Sequence, residues 1–217
     1  MLKRLIPYET ELINRIHLQL PHYMISENSL IGAASDGHQA EAIIQQFIVK
    51  LLVPHLPSPD LIISNRKARL DSQTDCFIPD LTINRIGGGV WGFIELKTLL
   101  TDDCLTEQAV AHDLKKLCVY KKTHPDAASV FILAGTRSRL SDSFAKLVWE
   151  KSGLCASDSA FSSHKLRPQI IADNQFVAIP CGSSGNLNEV ITLSWEIQPP
   201  NTTRIQSAKY RFKAIMT

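Results

Sequence analysis

Apolar residues recur along this chain with two different spacings, and the changes of spacing mark out its elements. Over residues 8–20, Leu12, Ile13, Ile16 and Leu20 follow a helical period, and Pro21 is expected to end the helix. A second helical stripe, Ala40, Ile44, Phe47, Ile48 and Leu51, starts near Asp36, which has capping-box spacing to Gln39, and closes at Pro54. Residues 61–63 form a short strand. Two apolar segments, 77–83 and 92–97, then read as buried strands. The stretch Asn84-Arg-Ile-Gly-Gly-Gly89 between them is a turn signal, which makes the pair a hairpin. A third helix is predicted over 105–122, with Val110, Leu114, Leu117 and Cys118 inward, followed by a fully buried strand at 129–134. Ser141 or Asp142 caps a helix through Glu150. Residues 151–168, rich in Ser, Ala, Gly and Lys, read as a long loop. Strands follow at 175–179, 190–195 and 203–214, with a turn at Cys181-Gly-Ser-Ser-Gly-Asn186. The hairpin requires an antiparallel pair and the strand-helix-strand crossover a parallel one. A mixed sheet flanked by helices satisfies both.

The two hairpin segments carry charge where charge is expensive. Asp80 stands among Ile78, Leu81 and Ile83, and Glu95 and Lys97 stand among Phe93, Ile94 and Leu96. An ionised group with such neighbours must be paired or bind a metal. Strand alternation puts Glu95 and Lys97 on one face, one pleat apart. Pairing the hairpin sets Asp80 beside Glu95, which makes a site for a divalent metal with a lysine at hand. A partly exposed Glu95–Lys97 ion pair is the plainer alternative.

Pro79-Asp80 and Glu95-Leu96-Lys97, separated by a glycine turn and followed by a helix, resemble the signature of the PD-(D/E)xK nuclease superfamily. The resemblance covers about residues 36–150. It implies a restriction-endonuclease-like core in a single domain, with an N-terminal helical segment (1–35) and a β-rich C-terminal extension (about 165–217). It also implies magnesium-dependent hydrolysis of phosphodiester bonds, with manganese able to substitute. Asp80, Glu95 and the Leu96 carbonyl would hold the metal, and Lys97 would orient the attacking water and stabilise the transition state. Glu41, on the helix before the sheet, would lend a further carboxylate. A water-exposed helix flank is the other reading of that residue. Lys116, with Asp113 fixing it, and Thr98 would contact the phosphate, although an ordinary intrahelical pair also accounts for Lys116 and Asp113. The expected partner is nucleic acid, DNA more than RNA, cut by an endonuclease of restriction, mobile-element or phage-related type. A homodimer or larger complex would allow both strands to be cut. The rival expectation is a non-catalytic module that keeps the fold for nucleic-acid binding or assembly.

Composition narrows the field without choosing within it. A chain of 217 residues with 44% hydrophobic and 20% charged residues has the profile of one globular domain. No apolar run approaches a membrane span, and Met1-Leu-Lys-Arg-Leu-Ile-Pro7 lacks the apolar core of a secretory signal, so a cytoplasmic protein is expected. Five cysteines are scattered with no C-x-x-C pair, and Cys76 and Cys118 read as core residues. The histidines fall in no zinc spacing, and His17, His22 and His38 are expected at the surface. A net charge of +2 is indifferent to nucleic acid. Local basic groups exist at Arg66-Lys67-x-Arg69, Lys115-Lys116, Lys121-Lys122 and in the tail with Arg204, Lys209, Arg211 and Lys213. Phosphate-loop, dinucleotide and nucleophile-elbow motifs are missing from the sequence.

Overall fold

A computed structural model describes residues 7–27, 37–64, 78–99, 107–136, 140, 170–171, 175–184 and 190–199. Two helices come first, α1 (Pro7–Ser26) and α2 (Gly37–Leu52), the latter running into a 3-10 turn at Val53–His55. Then follow β1 (Leu61–Ser64), β2 (Leu81–Arg85), β3 (Val90–Leu99), α3 (Glu107–Thr123), β4 (Ala128–Thr136), β5 (Ile170–Ile171), β6 (Val177–Ser183) and β7 (Val190–Gln198). Among the described residues seven strands form one sheet in the order β1-β2-β3-β4-β7-β6-β5.

The hairpin forms at the predicted place. Gly87, Gly88 and Gly89 have φ of 94°, 114° and 92°, a backbone that glycine adopts freely and a side chain strains against. Their turn lays β2 antiparallel to β3, with Leu81 opposite Ile94. The α3 crossover then lays β4 parallel to β3, so the sheet is mixed. The β-rich end adds to this same sheet, because β7 pairs with β4 and β6 with β7. β6 also runs through Cys181 and Gly182, where a turn was expected, since a register shift between Pro180 and Gly182 keeps it paired to β7.

Helices cover both faces. On one, Ala40, Ile44 and Ile48 of α2 and Leu12, Ile16 and Leu20 of α1 pack with Ile94, Leu96 and Ile132. On the other, Val110, Leu114 and Leu117 of α3 pack with Phe93, Phe131, Leu133 and Trp195. Burial on two sides explains why β3 and β4 are apolar without alternation.

Two expectations about boundaries need correction. α1 does not stop at Pro21 but continues to Ser26 with the proline inside it. An interior proline forfeits one backbone hydrogen bond and costs about 3 kcal/mol. The turn beyond it buries Met24 and stacks Tyr23 on Phe47 at 3.9 Å between ring centroids, which offsets that cost. Asp80 does not lie within a strand either; β2 begins one residue later, at Leu81. Pro79 has no N–H to give a ladder, and the Asp80 side chain bonds the neighbouring strand instead. The helix expected at 141–150, the loop at 151–168, the strand at 203–214, the basic tail and the Arg66–Arg69 group lie outside the described residues. No helix among those described is long and apolar enough to cross a membrane.

Candidate active site

The site grows from a mismatch in strand length. β3 pairs with β4 from Gly92 to Leu99, but on its other side β2 accompanies it only to the Leu81–Ile94 pair. Beyond Ile94 that edge of β3 has no strand partner among the described residues, and its buried amides need acceptors. Two carboxylates supply them. The Leu96 N–H donates to Asp80 Oδ2 at 2.6 Å, and the Thr98 N–H donates to Glu41 Oε1 at 3.4 Å. A strand residue turns its N–H and C=O to the same edge. The Leu96 carbonyl therefore also faces the side on which Asp80 lies.

Register fixes the rest. With Leu81 opposite Ile94, Asp80 falls opposite Glu95, and opposed residues of an antiparallel pair share a face. Glu95 is fully buried, and alternation places it with Phe93 and Lys97 on the α3 side. Asp113, Lys116 and Tyr120 sit at helical spacing on α3 and face this row. Lys116 Nζ donates to Glu95 Oε2 at 2.6 Å and lies 3.0 Å from Asp113 Oδ1. Lys97 Nζ is 3.4 Å from Asp113 Oδ2 and 3.4 Å from Glu41 Oε1. Glu41 comes from the opposite helical layer. It reaches Lys97 because the edge of β3 is open at this point.

Among the described residues four carboxyl groups (Glu41, Asp80, Glu95, Asp113) thus meet two ammonium groups (Lys97, Lys116), an excess of two negative charges when all are ionised. Burial raises the Asp80 carboxyl above the ordinary range, against the pull of the Leu96 N–H and Lys116. Burial, seconded by the Asp80 charge, pushes Glu95 up to about 9, while Lys116 opposes the rise. Glu41 is raised chiefly by burial too, with Lys97 opposing and Asp80 adding to it. For both lysines burial acts downward and loses. Asp113, Glu41 and Asp80 hold Lys97 above its usual value, and Glu95 and Asp113 do the same for Lys116.

Of the residues singled out from sequence, Asp80, Glu95, Lys97, Glu41 and Lys116 come together here. Leu96 contributes through its backbone. The Thr98 side chain, by alternation, faces away from Glu95 and Lys97, and its backbone N–H is what meets the cluster through Glu41. Two participants were under-read. Asp113 holds not one lysine but two. Tyr120, one turn beyond Lys116, is buried with its hydroxyl unpartnered among the described residues, and burial together with Glu95 and Asp80 raises its pKa. The spacing Asp113, Lys116, Tyr120 was the available signal. His17 corrects an expectation, since it is buried and hydrogen-bonds Ser194 at 2.8 Å. Its position on the core face of α1, between Ile16 and Leu20, was the clue.

No group of three or more His, Cys, Asp and Glu side chains among the described residues is arranged to ligate one ion as it stands. The donor set nevertheless fits magnesium, which takes one or two carboxylates and keeps several waters. Glu95 Oε1 is a buried acceptor with no hydrogen-bond partner, and Asp80 and the Leu96 carbonyl are hard oxygen donors at the same edge. The open groove of about 530 Å³ lined by Gln19, His22, Tyr23, Ser26 and Phe47 offers no carboxylate and no lysine or arginine, so it is a poorer place for phosphate chemistry. No family model, curated protein or solved structure matches the chain, so any functional reading stands on the geometry of these side chains.

Proposed function

We propose that the protein is a metal-dependent nuclease with a restriction-endonuclease-like core, acting on DNA as an endonuclease. The observation that carries this reading is the convergence of Asp80 and Glu95 on the open edge at Leu96, with Lys97 one pleat further on the same face. Asp80, Glu95 and the Leu96 carbonyl would hold a magnesium ion, for which manganese can substitute. When bound, the ion supplies Lewis acidity toward a phosphoryl oxygen and lowers the pKa of a water. Lys97 is held as an ammonium by three carboxylates, so it orients the water and balances charge developing on the phosphate rather than acting as a free base. Glu41 and Asp113 fix Lys97 from two sides, which restricts its flexible stem. Lys116 is a second ammonium within reach of the phosphate. The choice of DNA over RNA follows the habit of the family that the motif resembles.

Incubating the purified protein with plasmid, linear duplex, single-stranded DNA and RNA, with magnesium, manganese or chelator, tests the proposal. Metal-dependent cleavage of at least one substrate, lost in D80N and E95Q, is the expected result. Metal binding with no cleavage of any substrate would instead favour the non-catalytic module.

A further inference from the structure

Lys116 makes a contact that a phosphate-binding lysine does not need. Its ammonium lies 2.6 Å from Glu95 Oε2, on the carboxyl group assigned above to the metal. Lys97, which follows Glu95 on the same strand face, makes no ion pair with Glu95 among the described residues; its partners are Glu41 and Asp113. The two lysines therefore divide the site. One sits beside the metal carboxylates, and the other sits on one of them. We infer that Lys116 is a tethered cation that occupies Glu95 until a divalent ion displaces it, after which Asp113 holds it ready for the phosphate. The inference rests on the metal-dependent reading and adds a regulatory step to it.

Three features make the exchange physically reasonable. An ammonium and a divalent ion on one carboxylate repel each other, so an ion seated on Glu95 weakens its hold on Lys116. Asp113 Oδ1 is already 3.0 Å from Lys116 Nζ, one helical turn before it, so the displaced ammonium keeps a partner without moving the helix. Asp113 Oδ2 also faces Lys97, so displacement gathers both ammoniums on one aspartate beside the metal. Glu95 Oε1 meanwhile has no hydrogen-bond partner and gives an arriving ion its first foothold.

Manganese binding to the full chain, followed by calorimetry and by the loss of free-ion paramagnetic resonance signal, tests the exchange in wild type, K116M, K116Q and K97M. Removing the competitor should tighten manganese binding by at least about tenfold in K116M. K97M, which removes an equal charge not seated on Glu95, should tighten it severalfold less. At saturating manganese K116M should nonetheless cut DNA more slowly than wild type, since the released ammonium has a second task. K116Q should follow K116M and decides the matter if the methionine variant does not fold. Wild type that binds manganese, with lysine-116 variants binding no more tightly than K97M, overturns the exchange and leaves the nuclease reading intact. Absence of manganese binding by every folded variant overturns both.

Discussion

The metal-free protein should lose stability as pH rises from 5 to 9, and magnesium should reverse the trend. Glu95 is the main cause. Burial and the Asp80 charge push its carboxyl up to about 9, whereas in the unfolded chain it ionises in the ordinary range near pH 4–5. Between those limits the native state binds more protons than the unfolded state, so the free energy of unfolding falls with pH. The contribution is complete on the acid side and lost as pH passes through the folded value. Asp80 and Glu41 are raised too and act with the same sign. Lys97 and Lys116, also raised, lose their contributions only above the ordinary lysine range and leave this window untouched.

Each pH unit of displacement is worth about 1.4 kcal/mol, so the ceiling for Glu95 alone is on the order of 6 kcal/mol. Even a third of that, about 2 kcal/mol, corresponds to a Tm change of roughly 4–8 °C for a chain of this length. Thermal unfolding at pH 5.5, 7 and 8.5, in chelator and in millimolar magnesium, measures it. In chelator Tm should fall with pH. The increment from magnesium should grow with pH, because the ligands must shed protons to bind. In E95Q the metal-free fall should shrink to the smaller share of Asp80 and Glu41, and the magnesium increment should collapse. A wild-type Tm that is flat or rising in chelator, or an E95Q slope equal to wild type, would show that Glu95 is not the strained carboxyl derived above.

Other substitutions separate chemistry from packing. K97A should abolish cleavage yet keep a folded protein, seen by circular dichroism, because Asp113 keeps its pair with Lys116 and Glu41 keeps the Thr98 N–H. Y120F loses no hydrogen bond among the described residues and keeps the stack on Phe93, so its stability should stay within about 1 kcal/mol of wild type in denaturant titration. S194A strips the Ser194 bond from the buried His17 ring and should cost about 1–3 kcal/mol by the same measurement. G135A drives a methyl group to 2.9 Å from both the Leu99 side chain and its carbonyl oxygen, across the β3–β4 pair, and should cost about 1–3 kcal/mol without touching the carboxylates.

The parts of the molecule legible in the sequence are those governed by local rules. The β2–β3 hairpin follows from three glycines, the parallel β3–β4 pair from an intervening helix, and the placement of Glu95 and Lys97 from alternation along one strand. Asp80 beside Glu95 needed one further step, the register of the turn. Less legible were contacts between elements far apart in the chain. Nothing local to Asp113 announces a bond to Lys97, and nothing local to His17 announces Ser194, 177 positions away. The proline within α1 failed for a related reason, because the packing that offsets its cost comes from Phe47 on another helix.

The open edge of β3 ties these parts together. If β2 ran on along this edge, the amides of Leu96 and Thr98 would be spent in a ladder, and Asp80 and Glu41 would have no backbone donor to hold them. Ending β2 at Leu81 leaves donors in a buried place, and carboxylates are the acceptors that the sequence provides. Those carboxylates are then desolvated side by side, which raises their affinity for protons and for cations alike. Two lysines offset only part of the charge. The same shortening of one strand therefore creates a backbone need, answers it with acids, and leaves a cluster whose remaining charge a divalent ion would neutralise.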